Sequence, residues 1–342
     1  MSPTDEKLGI YILGNDFVYD QLIALINSIE VNVSADIPIC IIPYNERLDL
    51  VKQEVNNRKN LTLFENGESL QKWDTFAEEV WAAHSLAKQS KLSRNSLYKS
   101  PLLRKMAAFD GNFAKFVFYD ADSLAMKPLD DLFSRLDRYD FIFDDWEHIK
   151  SQDDTALNLS LIEKSGLYQE EDIRPQLHCS SFFASKKGLF PATELEKFKT
   201  LLIDKKEIEW ITRWWDDAFL FNYLTLRYEL PLFNFTLSSD EQDRTGNCAD
   251  ADTFVNINHI LYNQQDLKPI HRLHYMNYST NEFVKLCKGE DVGICYQEEF
   301  LYYRFLKEPE NRPQRLKKPS LASETNDYMK KMVNKVKMII SD

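Results

Sequence analysis

Short apolar runs alternate with stretches of helical spacing along the first 145 residues, and that alternation constrains the fold more than any other feature. GIYIL (9–13) is closed by Gly14-Asn15-Asp16, and the stretch after it sets Leu22, Ile23, Ile26 and Ile29 at helical spacing. IPICIIP (37–43) reads as a buried strand bounded by prolines, with the helical NERLDLVKQEV behind it. LTLF (61–64) is a third strand, and helical stretches over 76–90 and 101–110 lead into FVFY (116–119). DDLFSRL, a short helix, separates that run from YDFIFDD (139–145), a strand that ends in acids. Strand and helix in repeated succession predict a mostly parallel sheet, because each crossover lays a helix on one of its faces. The expectation is an open, doubly wound α/β sheet whose ligands gather at the carboxyl ends of the strands.

From 147 to 177 the chain turns polar and irregular, with one helical stretch, and reads as an insertion or lid. SSFFAS (180–185) returns to strand character, 191–204 is helical, and 210–228 is apolar all round, as a buried helix is. Beyond it, to about 306, the pattern is short strands and turns. The balance changes after Pro309: Arg312 to Lys337 holds eight basic and two acidic residues, and Tyr328, Met332, Val336 and Ile340 fall on one helical face. One domain over 1–310 and a basic amphipathic tail over 311–342 follow from this. Two readings fit the tail, docking on the protein itself or a partner, and peripheral contact with an anionic membrane.

A formal net charge of −12 argues against nucleic acid as a partner, since a polyanion would meet repulsion over most of the surface. Five scattered cysteines without a CxxC pair fit reduced thiols in a cytoplasmic protein. The first apolar run is too short for a signal-peptide core, and none approaches the roughly 18–20 residues of a membrane span.

FVFY ends in Asp120-Ala121-Asp122. Side chains two apart on a strand share a face, so extended geometry brings both carboxylates to one site. Without a cation they repel and one of them holds its proton more tightly. A hard divalent ion removes the conflict, and Mn²⁺ or Mg²⁺ takes such carboxylates together with substrate phosphates. Two solvated acids in a surface loop, or caps for the following turn, account for the same residues, and a lone D-x-D does not decide between these readings.

Its context adds information. Asp120-Ala121-Asp122 is followed by Lys127-Pro128-Leu129-Asp130-Asp131-Leu132-Phe133, and in this the chain resembles the glycosyltransferases of the GT-A fold, most of all the glycogenin-like group (family eight) and its bacterial relatives. The resemblance implies a metal-dependent hexosyltransferase that moves a sugar from a nucleoside diphosphate donor, UDP-linked, to a hydroxyl of a carbohydrate or lipid-linked acceptor. It also assigns roles by position. Leu13 to Tyr19 is similar to the turn that holds the nucleotide base, which points to Asn15, Asp16 and Tyr19, although the tyrosine stands one residue late. Helix capping is equally good chemistry for Asn15 and Asp16. Arg104-Lys105 stands where the family carries a cation near the sugar diphosphate, and a solvated helix face is the alternative. Ala121, between the two acids, falls within the donor site that the resemblance implies.

Trp214-Trp215-Asp216-Asp217 resembles the start of the helix whose acid and amide approach the donor sugar, making Asp216 and Asp217 the candidate catalytic residues. Asp217 replaces the family's Gln, and a carboxylate can act as base or nucleophile where an amide cannot. The third metal ligand implied is a late histidine: in Ile270-His271-Arg272-Leu273-His274-Tyr275, His274 aligns with it and His271 is the spare. The lysine that follows in the family has no counterpart. Cys179-Ser180-Ser181 resembles the strand that faces the acceptor, with Ser180 or His178 in place of an Asn.

Two other readings stand beside this one. D-x-D-S-L also imitates the nucleophile motif of haloacid-dehalogenase-like phosphatases, in which that motif opens the domain; more than 110 residues precede it in this chain. A catalytically silent GT-A scaffold used for partner binding is the third.

Overall fold

The computed structural model describes residues 7–89, 100–211 and 217–318. Its centre is a seven-stranded sheet. β1 (Leu8–Gly14), β2 (Ile39–Pro43), β3 (Leu61–Leu63) and β4 (Lys115–Asp120) are followed by a short β5 (Ser123–Ala125) outside the sheet, and then by β6 (Phe141–Phe143), β7 (Phe182–Lys186) and β8 (Leu232–Asn234). The order across the sheet is β3-β2-β1-β4-β7-β6-β8. β7 runs antiparallel to both neighbours, and every other pairing is parallel. The doubly wound, mostly parallel sheet expected from the alternation is therefore the one found.

Strand side chains alternate between two buried layers. On one face Ile10, Ile12, Ile39, Ile41 and Val117 pack against α1 (Tyr19–Asn32), α2 (Asp49–Asn57) and the short helix Asp130–Arg135. On the other, Tyr11, Phe116, Phe118, Phe141 and Phe183 meet α3 (Gly67–Ala83), the 3₁₀ segment Ser100–Asp110 and the helices Ala192–Ile203 and Asp217–Tyr228. Each fully buried Phe in that aromatic layer contributes about 1.5–3 kcal/mol of transfer free energy. α3 begins nine residues earlier than the periodicity predicts, at Gly67, because Asn66 caps it by accepting the Ser69 N–H at 3.1 Å.

A third apolar cluster joins α1 to the late residues. Leu124, Leu273, Tyr275, Phe283 and Phe300 form it, and it includes two helices, Thr280–Cys287 and Gln297–Arg304, in a region expected to hold only strands and turns. β9 (Phe254–Ile257) and β10 (Ile260–Asn263) make a hairpin beside it, and β11 (Arg272–His274) pairs antiparallel with β5. Asn32 ties these parts together, its Nδ2 donating to the Ala125 carbonyl at 2.8 Å and to the Tyr303 hydroxyl at 2.7 Å.

The 147–177 segment, read from its composition as irregular around one helix, holds two short ones, Leu159–Lys164 and Glu170–Ile173. It places Ala156, Leu157, Leu159, Ile162 and Ile173 in the aromatic-side core, so it is packed onto the sheet. The basic stretch of the tail beyond residue 318 lies outside the described residues. No helix among the described residues is long and apolar enough to cross a membrane. Asp120 closes the fourth strand, not the first, which counts against the phosphatase alternative.

Candidate active site

The site lies where the chain reverses its direction across the sheet. β1, β2 and β3 step outward to one side, and the chain then returns to place β4 on the other side of β1. The crevice at the carboxyl ends of β1 and β4 is the switch point at which open α/β sheets bind ligands. Leu13 of β1 stands in register with Asp120 of β4, so that crevice opens directly onto the first acid.

Asp120 is held by a buried cation. The Lys105 ammonium, fully buried, donates to Asp120 Oδ1 at 3.0 Å and to the carbonyl and hydroxyl of Ser180 at 3.3 and 3.2 Å. Removing either charge would cost the other this partner, and the ammonium would lose it in a fully buried setting.

Asp122 sits past the end of β4, in the turn before β5, and not on the strand itself as the two-residue spacing suggests. What turns it to the same place is the β5–β11 ladder. Ser123 pairs with His274, and the Tyr275 N–H donates to the Asp122 carbonyl at 2.9 Å. His274 Nε2 thereby lies 3.4 Å from Asp122 Oδ1. One ligand atom from each of Asp120, Asp122 and His274 lies within 4.8 Å of the other two. Burial pushes the Asp122 carboxyl up, but the His274 charge and hydrogen bond, with the Arg272 charge, outweigh it and hold the group below its ordinary value. Two carboxylates and an imidazole form a donor set that fits Mn²⁺, and its oxygens also fit Mg²⁺.

Two cavities flank this cluster. One, of about 450 Å³, lies over the switch point and is lined by Asn15, Phe17, Tyr44, Asp120, Ala121, Asp122 and Tyr278 among others. The other, of about 530 Å³, lies on the His274 side against Asp145, Trp146, Cys179, Ser181 and Arg272.

The structure separates the residues singled out from sequence. Asn15 lines the first cavity, with its amide spent locally: Oδ1 accepts the Phe17 N–H at 3.0 Å and Nδ2 donates to Asn45 Oδ1 at 3.1 Å. Asp16 caps α2, accepting the N–H groups of Asp49, Leu50 and Val51 at 2.8, 3.1 and 3.1 Å. Tyr19 lines neither cavity, and its hydroxyl donates to Glu54 at 2.7 Å. Arg104 is engaged by Asp74 through Nε and Nη2 and by the Pro43 and Tyr44 carbonyls, so its neighbour Lys105 is the cation that reaches Asp120. Asp217 opens the helix Asp217–Tyr228, and Asp216 lies outside the described residues. His271 is buried between Asp144 and Asp131, away from the acid pair. His178 is stacked on Phe143, and burial drives its imidazole down to about 3, so it stays neutral.

Three features escaped the sequence reading. Phe17, 57% exposed, and Tyr278 face the first cavity, and their aromatic character beside Asn15 was the available signal for Phe17. Asp145 follows β6; burial lifts its carboxyl to about 7 against hydrogen bonds from the Glu147 and Cys179 N–H groups. The acids ending YDFIFDD were visible, but nothing local distinguishes one facing a cavity from one in the core. Arg272, two residues before His274, lines the second cavity.

No protein-family model matches the sequence, and no curated protein matches it. Among solved structures, the chain is similar to the WbbM bifunctional glycosyltransferase in its apo form, with 14% identity and a TM-score of 0.51 over 92% of this chain. It spans about half of that protein, 53% of its length. Mouse xyloside xylosyltransferase 1 follows at 9% identity and a TM-score of 0.48, covering 66% of this chain and 83% of that one. The galactosyltransferase LgtC in complex with donor and acceptor sugar analogues stands at 12% identity and 0.45, covering 86% and 95%. At these identities the likeness speaks of architecture: the sheet and its covering helices form a GT-A type fold.

Proposed function

We propose that the chain is a metal-dependent glycosyltransferase that moves a hexosyl group from a nucleoside diphosphate donor, UDP-linked, to a hydroxyl of a carbohydrate acceptor. The observation that carries this reading is the convergence of Asp120, Asp122 and His274 between two cavities at the switch point of a GT-A type sheet. Asp120, Asp122 and His274 would hold Mn²⁺ or Mg²⁺, whose charge stabilises the departing diphosphate.

The rest follows from the protein's own groups. Phe17, Tyr44 and Tyr278 offer aromatic faces to a nucleotide base in the 450 Å³ cavity, taking the part that the sequence assigned to Tyr19. Lys105 fixes Asp120 and adds positive charge beneath the diphosphate. The transferred sugar and the acceptor would occupy the His274-side cavity, where Asp145 presents a carboxyl that titrates near neutrality, the property wanted of a general acid or base. Asp217, which opens the helix Asp217–Tyr228, and its sequence neighbour Asp216 remain the candidate catalytic residues.

Thermal unfolding with UDP, GDP and ADP, each with and without Mn²⁺, tests the reading. A ligand selective for the folded state raises the midpoint, and UDP is expected to do so only when Mn²⁺ is present. If no nucleotide gives a metal-dependent shift, the transferase reading fails and a silent scaffold takes its place.

A further inference from the structure

The His274-side cavity contains a charge that this reaction scheme leaves unused. Arg272 projects from β11 two residues before His274, hence from the same face. It lines the cavity, yet is only 1% exposed. Nη2 donates to Ser181 Oγ at 3.0 Å and the guanidinium lies 5.2 Å from the centre of the Phe182 ring, while Nε and Nη1 have no hydrogen-bond partner. A buried cation with idle donors is costly, and native proteins rarely keep one without a purpose.

The other polar groups of the wall are engaged. Asp145 accepts the N–H groups of Glu147 and Cys179. Glu147 pairs with Lys150 at 2.5 Å and accepts the Ala156 N–H at 3.1 Å. Asp252 accepts the N–H groups of Asn247 and Cys248, each at 2.8 Å. Trp146 donates to the Thr245 carbonyl, and Asn247 to that of Asp144. Among the described wall residues, Arg272 is the cation whose unpartnered donors are buried. Around it Trp146, Ile149 and Met276 supply apolar surface, the usual setting for a few polar groups that orient a small ligand.

We propose that this cavity takes an anionic sugar, one bearing a carboxylate or a phosphate, and that Arg272 holds the anion through charge-assisted hydrogen bonds. The inference rests on the transferase reading. The anion belongs either to the transferred sugar or to the acceptor, since both must reach this side of the acid–histidine cluster when the nucleotide fills the other cavity.

Calorimetric titration of the full chain tests it in two arms, with Mn²⁺-dependent UDP binding as the control. In the acceptor arm, the protein loaded with Mn²⁺ and UDP is titrated with glucuronate, glucose 6-phosphate and glucose. In the donor arm, UDP-glucuronate is compared with UDP-glucose in the presence of Mn²⁺. The expected result is a preference of about tenfold or more for the charged ligand in one arm, the effect of one hydrogen bond to a charged group, and the arm identifies the source. Arg272→Met should abolish the preference and Arg272→Lys should keep part of it; if the methionine variant does not fold, the partial loss in Arg272→Lys makes the assignment. Equal binding of charged and neutral sugars in both arms, with UDP binding intact, overturns the anion site and leaves the transferase reading in place. A preference that survives unchanged in Arg272→Met overturns the role of Arg272. Loss of Mn²⁺-dependent UDP binding in the wild type removes both proposals together.

Discussion

Two strands of the sheet run into a pair of acids, and each pair supplies a carboxylate to a histidine from the same four-residue stretch. At the end of β4, Asp120 and Asp122 gather with His274; beyond β6, Asp144 meets His271, while Asp145 faces the His274-side cavity. The first pair keeps 29% and 25% of its side chains exposed and stands between two cavities. Asp144 is wholly buried; it meets His271 Nδ1 at 2.7 Å, while Asp131 takes Nε2 at 3.0 Å. Burial alone would depress the His271 imidazole, but the Asp144 and Asp131 carboxylates outweigh it and raise it, and the same pairing, with Lys127, holds Asp131 low. Identical residue types thus give a closed strut in one place and an open, ligand-ready cluster in the other. What separates them is burial: Asp144 and His271 are closed off in the core, while Asp120 and Asp122 border cavities.

The largest effect expected on this contrast comes from Asp144→Ala. Breaking one partner of a buried ion pair typically costs about 3–5 kcal/mol, which chemical denaturation would register; a loss below about 1 kcal/mol, the range of exposed pairs, would erase the distinction. Asp122→Ala should do the reverse, leaving unliganded stability within about 1 kcal/mol while removing the stabilisation by Mn²⁺ and UDP, about 2.7 kcal/mol at a hundredfold excess over Kd. Within the nucleotide cavity, Phe17→Ala should weaken UDP binding about tenfold, in keeping with roughly 1–3 kcal/mol per stacked base. Tyr19→Phe should leave it unchanged, and equal losses in both variants would show that the base lies elsewhere.

The smallest effect is one of pH. A histidine whose folded value is raised contributes stability that is fully present below its ordinary value of 6.5 and is lost as pH rises through the raised value. The stability advantage of the wild type over His271→Gln should therefore shrink as pH climbs above 6.5. A constant gap would mean that the strut acts through packing and not through charge.

Much of the layering was legible in local pattern. The isoleucines of 37–43 and the aromatic run 116–119 announce strands buried on both faces, and the spacing of Leu22, Ile23, Ile26 and Ile29 announces the helix that covers them. α3 starts earlier than its periodicity announces, because its first turns are polar and its cap at Asn66 is a single side-chain bond. The core contribution of 147–177 was hidden for a related reason: its apolar residues are isolated among polar ones, and only contact with the sheet makes a core of them.

At the site, Asp120-Ala121-Asp122 could be found from sequence because its elements are adjacent in the chain, and the same held for the local cap that Asn15 forms with Phe17, whereas Asp16 caps α2 more than thirty residues on. The antiparallel direction of β7, the choice between His271 and His274, and the difference between Lys105 and Arg104 were decided by the tertiary structure. Each depends on segments remote in sequence: His274 reaches Asp122 because β11 pairs with β5 in a register that sets it opposite Ser123, and a one-residue slip would turn it to the other face. Local preferences are properties of neighbouring residues and so are written along the chain. Register, burial and the prior use of hydrogen bonds are properties of contacts, which exist only once the chain has folded.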